Sequence, residues 1–218
     1  MTFDNGPTPG VTDRVLDILH ERGVTATFFA VGNQAAVPEG RELLERALAE
    51  GHRIGNHSMT HRVPLGELDP QTSVDEITDA AEVLDGLLGV ERQFRPFGRG
   101  GRIGPHLLSP AAVDRLCTDG YTLALWSSVP RDWVDPDGWV DVAMAQIRDD
   151  PWPVVVLHDF EGGCLARLPD FLDELERLGA ELTTALPDRC TPIRRGRVIG
   201  DLGSIVTSST APTTSGRV

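Results

Sequence analysis

Residues 11–31 read VTDRVLDILHERGVTATFFAV, and this stretch decides the fold class. Val11, Val15, Ile18 and Leu19 recur at the spacing of one helical face, and Gly23 stands where a helix would stop. The run TATFFAV, 25–31, is β-branched and aromatic with no polar alternation, as expected of a strand buried on both faces. This pairing of helix and buried strand repeats along the chain. A helix is predicted over 39–50, with Leu43, Leu44, Ala47 and Leu48 on one face and Gly51 at its end, followed by a short strand over 52–55. Another, over 72–88, carries Val74, Ile77, Ala81, Leu84 and Leu88. Strands follow over 93–95, 122–126 and 154–157, with helices over 110–117 and 139–148 between them. The last helix, 168–178, stops at Gly179, and a final strand is expected over 181–184.

Alternating strands and helices point to a parallel sheet sheathed in helices. No G-x-G-x-x-G follows a strand, so a dinucleotide fold has no support. A (β/α) barrel carries its chemistry at the C-terminal ends of its strands. The reactive residue types of this chain fall at those ends. The 218 residues divide into one α/β domain over 1–195 and a tail over 196–218. From Gly203 onward the tail is rich in Ser and Thr and is expected to be disordered.

The formal net charge is −13 and the pI about 4.8, which opposes nucleic acid as a partner and favours a neutral or cationic substrate. No apolar run reaches the roughly 18 residues of a membrane span. Met1 leads straight into Thr2, Phe3 and Asp4 without a basic or apolar leader, which as written points to a cytoplasmic product. Cys117, Cys164 and Cys190 are too scattered for a disulfide framework or a structural zinc site, and read as reduced thiols. The sequence carries no signal of oligomeric state.

Four clusters carry chemistry. TFDNGP, 2–7, ends a strand on Asp4 and turns sharply at Asn-Gly-Pro, although an Asp before Asn-Gly is by itself an ordinary turn. HSMTH, 57–61, follows a strand and spaces two histidines four apart; on a helix they would share a face and one metal ion. FRPFGRGG, 94–101, sets Arg95 beside Pro96 and follows with glycines whose N–H groups are free to face a ligand. VVVLHDF, 154–160, is a buried strand ending in His158, a residue type suited to proton transfer near neutral pH. Between the last two, Asp132 and Trp133 follow another strand end, where Asp132 is placed to hold the His158 ring. Each signal is weak alone.

In order and spacing these clusters resemble the polysaccharide deacetylases, the NodB-like carbohydrate esterase family four, from Thr2 to about Leu186. TFDNGP stands for the family's TFDDGP, HSMTH for its paired-histidine motif, and Arg95 to Gly98 for its Arg-Pro motif. Asp132-Trp133 and Leu157-His158 complete the set. The resemblance implies a distorted (β/α) barrel that hydrolyses an amide carbon–nitrogen bond of an N-acetylated sugar or glycan. It implies Asp4 as general base, Arg95 as the partner that keeps Asp4 ionised, and His158 as general acid oriented by Asp132. It implies a divalent metal on His57, His61 and Asn5, with zinc, cobalt and nickel all suited to the histidines. A backbone N–H at Phe97 would face the developing oxyanion, and Trp133 would wall the acyl pocket.

The chain departs from the pattern in three places. Asn5 stands where the family has a metal-binding aspartate, which implies weaker metal binding or none. The Arg motif is one residue short, and Arg99 or Arg102 is placed to meet an acidic group on the substrate. The first strand reads as truncated, with unpaired edges, and the start reads as lying inside a longer frame, from which a secretion signal could also have been lost. Two alternatives stay open at this level: an amidohydrolase for small cyclic imides or allantoin-type rings, and a dead barrel that only binds glycan.

Overall fold

The computed structural model describes residues 1–208. Six parallel strands make the central sheet: β1 (Thr2–Asp4), β2 (Thr27–Ala30), β3 (Arg53–Asn56), β4 (Gln93–Phe94), β5 (Thr122–Leu123) and β6 (Val156–His158). Their order is β5-β4-β3-β2-β1-β6. Beyond β5 the chain crosses to β6, where Ser128 bridges Val155 in parallel, and Val156 N–H donates to Ser128 O at 3.0 Å. The ladder therefore closes on itself as a distorted barrel.

Around it lie α1 (Thr12–Glu21), α2 (Gly32–Ala35), α3 (Pro38–Ala49), α4 (Pro70–Val83), α5 (Pro110–Thr118), α6 (Trp139–Ile147) and α7 (Leu168–Leu178). Proline opens α3, α4, α5 and α7 in the first turn, where its missing N–H costs nothing. The Asp69 carboxylate caps α4 by accepting from Gln71 and Thr72 N–H, and Ser109 caps α5. Gly179 ends α7 in the left-handed conformation, φ 70°.

Side chains alternate across β1 and give the barrel two environments. Phe3 points out, stacks on Phe28 at 5.0 Å, and joins the apolar layer beneath α1, α3, α6 and α7. Thr2 and Asp4 point in and meet Arg95. A second apolar layer, with Ile77, Phe94, Tyr121 and Leu123, lies on the other flank. No helix among the described residues is long and apolar enough to cross a membrane.

Three expectations change. The short first strand has no free edge, because all three of its residues pair with β2 on one side and β6 on the other. Residues 181–184 form no strand; Glu181 to Thr183 run exposed past the end of α7, with no ladder beside them to join. The tail does not begin at 196. Beyond 195 the chain forms β8 (Arg197–Val198), which pairs with β7 (Ile193–Arg194). Ile205 is then buried, and Thr207 N–H donates to Leu108 O at 2.9 Å. Ile205, with the half-buried Leu202 and Val206 beside it, docks this stretch against the second apolar layer. The rest of the expected tail, 209–218, lies outside the described residues.

Candidate active site

Asp4 and His158 end β1 and β6, His57 and Arg95 directly follow β3 and β4, and Asp132 lies in the loop after β5. These are C-terminal strand ends, so one mouth collects them all. There a cavity of about 290 Å³ is lined by Asp4, Asn5, His57, His61, Trp133 and His158 among others.

Arg95 organises the floor. It is fully buried, and its guanidinium donates to Asp4 Oδ1 at 2.8 Å, Thr2 Oγ1 at 2.6 Å and Ala124 O at 3.1 Å. Its face lies on the Phe29 ring, 4.0 Å from the centroid. Burial pulls the Arg95 pKa down, and the Asp4 charge opposes that. The second Asp4 oxygen sits 3.5 Å from His57 Nε2.

The two histidines meet through a loop, not a helix. Ser58 and His61 adopt left-handed φ of 67° and 53°, which folds HSMTH back on itself. Asn56 Oδ1 accepts from Ser58 N–H at 2.9 Å, and the Glu76 carboxylate accepts from both Thr60 N–H and Thr60 Oγ1. The His57 and His61 rings end 4.5 Å apart, and Phe97 packs on His61 at 4.1 Å. His57 Nδ1 lies 2.8 Å from Arg95 O, so Nδ1–H donates there and Nε2 keeps its lone pair. Burial is the main force pushing both pKa values down to about 3, so both rings are neutral near pH 7.

Asn5 turns away from β1 with φ 78°, a conformation asparagine tolerates. Its Oδ1 is buried without a hydrogen-bond partner among the described residues. No three His, Cys, Asp or Glu side chains gather as a metal cluster among the described residues. The cavity is lined by two neutral imidazoles and by Asn5, which brings an orphaned amide oxygen. Those donors fit a divalent cation, with less negative charge than a carboxylate would bring.

On the other wall, His158 Nδ1 lies 2.8 Å from Asp132 Oδ1, while Asp132 Oδ2 accepts the His158 N–H at 2.9 Å. The Trp133 ring stands edge-on to His158 at 4.5 Å. Asp4, Asn5, His57, His61, Phe97, Trp133 and His158 thus line this mouth, with Arg95 buried behind Asp4 and Asp132 behind His158. Arg99 lines the same cavity, and its guanidinium forks onto Glu67 at 3.0 and 2.7 Å. Sequence reasoning also passed over Asn56, Glu76 and Asp159. Burial raises the Asp159 pKa to about 7.

Fold and site together define a barrel hydrolase with a two-histidine mouth, and the chain belongs to the polysaccharide deacetylase family. The model of that family matches residues 1–102. The chain is 32% identical to a chitooligosaccharide deacetylase of Sinorhizobium fredii, an alignment that covers 90% of this chain and 85% of that one. It is 33% identical to a peptidoglycan-N-acetylglucosamine deacetylase of Bacillus cereus, over 84% of each. Among solved structures, a family 4 acetyl xylan esterase from Clostridium thermocellum in complex with a cobalt ion superposes with a TM-score of 0.65 at 27% identity, covering 84% of this chain and 85% of that one.

Proposed function

We infer that this chain is a hydrolase that removes the acetyl group from the amide nitrogen of an N-acetylated sugar. The observation that carries the reading is the joining, at one barrel mouth, of a buried Asp4–Arg95 pair, two neutral histidines and a His158–Asp132 pair. Relatives named for chitooligosaccharide and peptidoglycan deacetylation support a glycan substrate. The cyclic-imide and binding-only alternatives are not favoured by them.

His57, His61 and Asn5 would hold a divalent cation, with zinc or cobalt suited to the two imidazoles. When bound, it supplies Lewis acidity at the scissile carbonyl. Asp4, fixed by Arg95, takes a proton from the attacking water. The Phe97 N–H, on the cavity wall, would meet the oxygen on which negative charge develops. His158 gives a proton to the leaving amine, and Asp132 holds its ring and offsets its positive charge. Trp133 walls the space for the acyl methyl.

The test is metal content and acetate release on one sample, with N-acetylglucosamine oligomers, before and after chelation. Acetate that disappears with the chelator and returns with zinc or cobalt is expected. Acetate release unchanged by complete metal removal would sink the metal assignment, and no acetate from any metal-loaded sample would sink the deacetylase assignment.

A further inference from the structure

Asp159 follows His158 but takes no part in the reaction above. Alternation at the strand end turns its side chain away from the mouth, and it is 1% exposed. Its Oδ1 accepts from Gly6 N–H at 3.0 Å, and its Oδ2 accepts from Thr12 Oγ1 at 2.6 Å. Thr12 Oγ1 in turn accepts from Thr8 N–H at 2.7 Å. Asp159 N–H reaches back to Asp4 O at 3.4 Å.

These contacts bracket Asn5. The residue before it is tied to Asp159 through a carbonyl, and the residue after it through an N–H. The approach at Gly6 is so close that a Cβ there would fall 2.1 Å from Asp159 Oδ2. Gly6 also accepts Val31 N–H at 3.0 Å, which anchors the turn to the end of β2. Asn5, left-handed and with an orphaned Oδ1, is held between fixed neighbours. A buried carboxylate surrounded by neutral donors is costly to keep. Here its two oxygens are spent on the turn that aims one amide.

We propose that Asp159 is a positioning residue for Asn5: together with Thr12 it fixes the turn that presents the Asn5 amide oxygen to the cation between His57 and His61. This rests on the metal reading above. A neutral amide ligand gains little from charge, so its contribution depends on placement. Supporting contacts of this kind are worth roughly 10–100-fold in metal affinity.

The experiment is Zn²⁺ affinity, measured by competition with a chromophoric chelator on wild type, Asp159→Ala, Thr12→Val, Asn5→Ala and the Asn5→Ala/Asp159→Ala double variant. Circular dichroism checks the fold of each. Asp159→Ala is expected to weaken Zn²⁺ binding by roughly 10-fold or more, and Thr12→Val by a few-fold. In the Asn5→Ala background, Asp159→Ala should cost nothing further. If Asp159→Ala does not fold, Thr12→Val compared with and without Asn5→Ala carries the same test. Unchanged affinity in the folded variants overturns the proposal, as does an equal loss when Asn5 is already gone. Asn5→Ala binding as well as wild type overturns it too, while leaving the histidine site intact. A wild type that takes up no Zn²⁺ overturns the metal reading and this proposal together.

Discussion

His57 and His158 occupy equivalent places, at the ends of β3 and β6, with β2 and β1 between them in the ladder. Both are buried, and both have Nδ1 fixed at 2.8 Å from an oxygen. The oxygen differs. His57 meets the Arg95 carbonyl, which carries no charge, and the buried Arg95 guanidinium nearby further opposes a second cation. His158 meets the Asp132 carboxylate, which can offset a positive ring. On the proposed reading, one residue type serves as a lone-pair donor on one wall and a proton carrier on the other. The orienting partner adds to burial, which is the larger force on His57.

The sharpest way to break that contrast is to remove the charge from one partner. Asp132→Asn is expected to lower kcat by roughly 10²–10⁴-fold while Zn²⁺ affinity stays near wild type. Steady-state kinetics and metal titration on one preparation check it. If metal binding falls in step with turnover, the two walls are not separate in function.

That division of labour was only partly legible in the sequence. Asp4, His57, Arg95 and His158 were readable because each stands at a strand end, and His61 and Asp132 because they complete the pattern shared with the family. Their environments were not. Only the fold places a carbonyl against one histidine and a carboxylate against the other. HSMTH suggested a shared helical face, yet the rings meet through two left-handed residues braced by Asn56 and Glu76. Asp159 was hidden because its partners, Gly6 and Thr12, lie 153 and 147 residues away. The strand expected over 181–184 failed for a related reason: local composition allowed it, and no neighbouring ladder existed to receive it.

A second prediction sharpens the comparison through pH. In the folded protein the His57 and His61 pKa values sit at about 3, whereas the unfolded chain titrates near the ordinary histidine value of about 6.5. Between those values the unfolded state binds more protons, so stability rises with pH. Metal-free protein should hold full histidine-linked stability above about pH 6.5 and lose it progressively as pH falls toward 3. His61→Ala removes one of the two rings and should flatten the dependence. Melting temperatures of metal-free wild type and variant, from pH 7 to pH 4, check this; parallel curves would refute it.

The smallest effect is expected at the rim. Arg99 and Glu67 are both substantially exposed, at 48% and 38% of their side chains, so their fork contributes at most about 1 kcal/mol. Glu67→Gln should shift the denaturation midpoint little and leave kcat unchanged. A large fall in kcat would show that the 97–102 loop depends on that tether to keep Phe97 against His61.

The barrel's closure bears on how the mouth can move. Five of the six junctions around the ring are strand ladders, and the sixth is the single bridge between Ser128 and Val155 with the hydrogen bonds around it. The loop that carries Asp132 and Trp133 leaves the ring just past this seam. Asp4 sits on β1, whose three residues pair on both sides, whereas the β3–β4 junction beside Arg95 holds one paired position and the seam beside Asp132 one bridge. Opening at either of these two junctions would part the Arg95 wall or the Asp132 wall from the rest of the mouth, while Asp4 keeps its register between two neighbours.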